Sequence, residues 1–167
     1  MRAEKDIRAA IGTAITNALA SLTPMPVIIP RNLLGRIREG HYTELLDAFN
    51  KVHGWMITPY ADAPSGKGEK LKRHTEYSIR YLVWQFHEYR TGSDESNSED
   101  DASVERDTVK SLFIPTATSV CGIVAGCGPL EFSQAFYPGT LSIDLIPIGD
   151  RMCHIAQGTL TVDDIIP

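Results

Sequence analysis

Residues 77–89 read YSIRYLVWQFHEY, and the character of this run decides the fold. Its β-branched and aromatic content suits a long pleated strand. At a period of two, Ile79, Tyr81 and Val83 fall on one face while Leu82, Trp84 and Phe86 fall on the other. A strand apolar on both faces needs cover above and below, or a subunit contact, so it belongs at the centre of its sheet.

Upstream, residues 3–22 place Ile7, Ile11, Ile15, Ala18, Leu19 and Leu22 at spacings of three and four, which is one apolar stripe of a helix. Thr23-Pro24 and Pro26 stop it, and Val27-Ile28-Ile29 reads as a short strand before Pro30. Residues 32–52 turn helical again, broken near Gly40-His41. There Thr43 offers an N-cap for 44–52, with Leu45, Leu46, Phe49 and Val52 as the buried side. Trp55–Thr58 is a strand. Residues 61–75, carrying Lys67, Lys70, Lys72 and Arg73, read as an exposed basic loop.

Downstream, residues 91–101 (TGSDESNSEDD) contain no apolar side chain. They read as an exposed acidic loop carrying Asp94, Glu95, Glu99, Asp100 and Asp101. Residues 101–113 form a helix, with Val104, Val109, Leu112 and Phe113 inward and Glu105 and Asp107 near its positive end. Residues 114–139 are rich in Pro and Gly and read as an irregular connection, with a short strand at 121–124. Two strands close the chain: Thr140–Ile148 and Met152–Ile166 alternate apolar and polar residues around a Gly149-Asp150 turn. The pattern predicts a single α+β domain: a mixed, largely antiparallel sheet with helices 3–22, 32–52 and 101–113 packed mainly on one face.

Length and composition support one globular domain: 167 residues, 43% hydrophobic and 22% charged. No apolar run approaches the roughly 18–20 residues of a membrane-spanning helix, and residues 1–22 lack the apolar core of a signal peptide. A soluble protein without an export address is expected. The net charge of −5 argues against a protein that coats DNA. Charge is polarised along the chain: residues 1–91 hold 13 Lys/Arg against 9 Asp/Glu, whereas 92–167 hold 3 against 12. Unlike patches of this kind can orient subunits against one another.

Chemistry-bearing motifs are few. Cys121, Cys127 and Cys153 form no CxxC pair and read as reduced thiols; with His154 they match no common zinc spacing. Gly66-Lys67-Gly68 lacks the frame of a phosphate-binding loop. His41, His53, His74, His87 and His154 are scattered, with no HExxH or HxH, and no Ser occupies a GxSxG elbow. The residues therefore predict no catalytic, cofactor or metal site and no enzyme.

Taken in order, the amphipathic N-terminal helix, short strands, YSIRYLVWQFHEY, the helix DASVERDTVKSLF and the closing HIAQGTLTVDDII resemble the bacteriophage tail terminator, or tail-completion, proteins and their minor tail protein relatives. The resemblance covers residues 3–22 and 77–167 and implies a structural virion protein assembled in the host cytoplasm. It implies a homo-hexameric ring that caps the tail tube and joins it to the head-side connector, with DNA only as passing cargo. Its partners are then other copies of the chain, the tail tube protein and the connector, with no membrane and no cofactor. The acidic residues 94–101 would face the lumen or a partner, and the basic loop would be their complement. The long 32–73 stretch and the Pro/Gly-rich 114–139 depart from the family pattern. The alternatives are another neck, head-completion or tail-tube component and, from a different class, a small cytoplasmic enzyme or ligand-binding domain with a pocket near Cys153-His154.

Overall fold

A computed structural model of the chain describes residues 4–64, 76–89, 95–112, 130–137 and 144–165. The elements in order are α1 (Glu4–Ala18), β1 (Val27–Ile29), α2 (Leu34–Arg38), a 3-10 turn (Thr43–Leu45), β2 (His53–Pro64), β3 (Glu76–Glu88), α3 (Glu95–Leu112), β4 (Leu130–Tyr137), β5 (Asp144–Ile148) and β6 (Arg151–Ile165). They build an α+β fold on one six-stranded sheet, ordered β1-β2-β3-β6-β4, with β5 also paired to β6. Among the described residues only the β1–β2 pairing is parallel, so the sheet is mixed and largely antiparallel, as the pattern predicts.

The aromatic run sits where its two apolar faces require. Strand β3 lies between β2 and β6 in a continuous ladder from Glu76–Ile165 to Glu88–Cys153. Because side chains alternate across a strand, register sorts the core into two layers. Trp55, Ile57, Tyr81, Val83 and Leu160 meet Ile7, Ile11, Ile15 and Leu19 of the α1 stripe and Val109 of α3. Each of these buried aliphatic side chains contributes roughly 1.5–3 kcal/mol through burial. On the opposite face, Met56, Phe86, Cys153 and Ile155 pack with Ile29, Leu33, Leu45 and Val52.

The two long helices therefore share one face, but residues 32–52 cover the other. They form only α2, the 3-10 turn and a Leu46–Val52 bridge. Gly40, at φ +82°, marks the break after α2. Asp47 replaces the expected helix that Thr43 was to cap: its Oδ1 accepts from the backbone N–H groups of Phe49 and Lys51, a local turn that competes with helix. Phe49, expected inside, is 62% exposed.

Three further boundaries differ from the sequence reading. Residues 61–64 continue β2 and do not belong to a loop. Residues 95–101 form the first turns of α3: acidic side chains suit the positive end of a helix, and Ser98 is fully buried, its hydroxyl donating to the Glu88 carbonyl at 3.3 Å. Val104 is consequently exposed, while Ala102 and Glu105 turn inward. Residues 130–137, read as irregular, pair with the far end of β6, which shows that tertiary pairing imposes a strand where local propensity is weak. The expected strand at 121–124, residues 140–143 and Phe113 lie outside the described residues.

Candidate functional site

Register, and nothing local, assembles the site. His53 pairs with His87, and His87 with His154, so the three imidazoles stand in a row across β2, β3 and β6. Their parity matches Trp55, Tyr81, Val83 and Leu160, which places them on the face covered by α1 and α3. All three residues are buried. The His53 and His87 rings meet edge to face, with centroids 4.9 Å apart.

Glu105 of α3 descends onto this row. It is 4% exposed; its Oε1 accepts from Trp55 Nε1 at 2.6 Å and its Oε2 from His53 Nε2 at 2.6 Å. On the other side of the same imidazole, Nδ1 lies 3.6 Å from Asp47 Oδ2. That oxygen is buried and has no hydrogen-bond partner among the described residues. Ser98 Oγ stands 3.5 Å from His87 Nδ1, and Gln85 Nε2 donates to the Ala102 carbonyl at 2.9 Å, tying α3 to the sheet beside the cluster. A cavity of about 250 Å³ opens above the pair, walled by Leu19, Pro24, His53, His87, Asp101 and Glu105 among others. Polar groups buried this deeply are costly unless paired, so their convergence at a cavity is the principal chemical feature of the described molecule.

His154, further along the row, is held below its ordinary pKa by burial, an effect that Glu99 partly opposes. Its ring packs against Tyr89, with centroids 5.4 Å apart. Cys153 points the opposite way, into the second core layer, and burial pushes its thiol up to about 12. Consecutive strand residues face opposite sides, so Cys153-His154 does not form the pocket dyad considered from sequence.

On the far face, Glu88 accepts from Arg151 Nη1 at 2.8 Å and from the Val52 amide at 3.0 Å, locking the start of β6 against β2 and raising the Arg151 pKa. Beside it, Tyr42 donates its hydroxyl to Asp150 Oδ1 at 2.5 Å, which lowers the Asp150 pKa and raises that of Tyr42.

Of the residues singled out by charge, Glu99, Asp100 and Asp101 are exposed on α3, and Asp101 lines the cavity. Glu95 begins the same helix. Asp94 and Lys67, Lys70, Lys72 and Arg73 lie outside the described residues. The convergence of His53, His87 and Glu105 was missed by sequence reasoning. One signal existed: Ala102, Glu105 and Val109 are spaced by three and four, so a carboxylate occupies the buried stripe of the helix.

The chain matches no protein-family model and no curated protein.

Proposed function

We propose that the chain is a structural subunit that works by assembling with copies of itself, and that its assembly is a ring of the tail-terminator kind, capping a phage tail tube and joining it to the head-side connector. One observation carries the reading. Strand β3 has 13 residues and spans about 43 Å, whereas α1, with 15 residues, spans about 22 Å. Tyr81 donates its hydroxyl to the Glu4 carbonyl at the start of α1, and Leu19, just past its end, borders the cavity over His53 and His87. The helix therefore covers β3 from about Tyr81 to His87.

Beyond it the sheet continues through Ala61–Pro64, Glu76–Arg80 and Thr161–Ile165, with β4 added at the outer side. That extension reaches beyond the length of α1. A sheet that outruns its cover is suited to pairing or packing with a neighbouring subunit, and a closed ring requires two unlike surfaces per protomer. The charge polarity of the chain and the element order quoted above support the same reading. In it, Glu99, Asp100 and Asp101, exposed on α3, line the lumen and repel passing DNA. No helix among the described residues is long and apolar enough to cross a membrane.

Native mass measurement across a concentration series, followed by imaging of the protein mixed with purified tail tubes, tests the proposal. Closed rings, in solution or on tube ends, are the expected result. Decoration of connectors alone would move the chain to another neck component. A monomer at every concentration that binds neither tube nor connector would overturn the assignment.

A further inference from the structure

We propose that His53, His87 and Glu105 bind a divalent transition metal of the zinc class, with its remaining coordination position open to the cavity above them. The inference does not rest on the assembly reading. One donor atom from each residue lies within 4.8 Å of the others, and all three residues are buried. In a tetrahedral zinc site the donors stand about 3.3 Å apart at metal distances of about 2.0–2.2 Å. The cluster therefore needs only side-chain adjustment: the 2.6 Å contact between His53 Nε2 and Glu105 Oε2 opens by roughly 0.7 Å as the metal takes the place of the shared proton.

The donor chemistry selects the metal. Two imidazoles with one carboxylate suit zinc and neighbouring transition ions, whereas calcium and magnesium require oxygen donors. Three protein ligands with one open position is the pattern of reactive rather than closed structural zinc sites.

The surroundings point the same way. A ligating histidine normally donates its second ring N–H to a carboxylate, which fixes the tautomer and strengthens the ligand. Asp47 Oδ2, buried, without a hydrogen bond among the described residues and 3.6 Å from His53 Nδ1, occupies that place. Ser98 Oγ stands similarly beside His87 Nδ1 at 3.5 Å. With the metal bound, Nδ1–H of His53 turns to Asp47 and the orphaned oxygen gains its donor. Trp55 Nε1 continues to hold Glu105 Oε1, leaving Oε2 for the metal.

The test uses the full chain after dialysis against a chelator, titrated with Zn²⁺ by calorimetry and with Co²⁺ by visible absorption. One equivalent of metal and a tetrahedral cobalt spectrum are expected. His87→Gln and Glu105→Gln should each weaken binding more than 100-fold, exceeding the roughly 10–100-fold loss expected for Asp47→Asn, which removes only the outer-shell contact. Glu99→Gln, on the exposed side of the same helix, should bind as the parent does. Circular dichroism of each variant checks folding. Should the ligand variants not fold, nitrogen-detected imidazole resonances of the parent provide the second measurement, with His53 and His87 shifting on zinc addition. The proposal is overturned if the folded parent takes up no zinc, if both folded ligand variants bind like the parent, or if those two imidazoles do not respond.

Discussion

Glu105→Ala in the metal-free protein is the most informative perturbation, because one buried carboxylate serves two buried donors. Its removal leaves Trp55 Nε1 and His53 Nε2 without their 2.6 Å acceptor and deletes side-chain volume from a position 4% exposed. An unsatisfied buried donor costs about 1–3 kcal/mol, and two lose their acceptor here. The adjoining 250 Å³ cavity gives water access to the orphaned groups, which places the expected loss near the lower end, about 3 kcal/mol. For a chain of this length that corresponds to a fall in Tm of roughly 6–12 °C. Glu105→Gln keeps an acceptor for Trp55 and replaces the oxygen facing His53 with an amide, so a smaller loss of about 1 kcal/mol is expected. Urea unfolding monitored by Trp fluorescence and, separately, by circular dichroism measures both variants. An Ala variant within about 0.5 kcal/mol of the parent, the ordinary range of a surface substitution, would refute a structural role for the Glu105 contacts.

Other consequences follow from separate features. Gly149 has φ +62°, and an added Cβ would lie 2.1 Å from the Tyr42 ring; Gly149→Ala should therefore cost about 2–3 kcal/mol by denaturant titration, and parent-like stability would contradict the turn geometry. Ile11→Ala, at a fully buried position of the α1 stripe, should cost about 2–5 kcal/mol, seen as a lower urea midpoint with unchanged slope. His154 has a depressed pKa in the folded state, so the unfolded chain binds the proton more readily; its contribution is fully present above the ordinary histidine value near 6.5 and is lost as pH falls below it. His154→Phe should flatten the stability profile over that acidic window, and an unchanged profile would exclude His154 as its source. Cys153, fully buried with its thiol pushed up to about 12, should react with a thiol reagent only on unfolding when Cys121 and Cys127 are changed to Ser.

The assembly reading and the metal site occupy different parts of the molecule. Glu105, His53 and His87 lie beneath the helices, at the end of β3 that carries His87, whereas the sheet reaches past the start of α1 at the opposite end, beyond Tyr81. Loss of metal by Glu105→Gln with self-association intact is therefore the expected joint outcome, and ring formation and zinc uptake can fail independently.

Local patterning carried the main architecture. The two apolar faces of YSIRYLVWQFHEY required a central strand, and Ile7, Ile11, Ile15 and Leu19 at helical spacing required a helix facing the core, because burial of apolar surface has the same period as the backbone that presents it. The glycine at 149 marked the final turn for a comparable reason, since a left-handed conformation is inexpensive only there. Asp47 and Ser98 illustrate where periodicity failed: their side chains bond to backbone groups, so one helix was lost at 44–52 and another began early at 95 without an apolar signal. The alliance of His53, His87 and Glu105 was beyond any local reading. It depends on the register of β2 against β3 and on the rotation of α3 above them, and a shift of one residue in either strand would send an imidazole to the opposite face of the sheet.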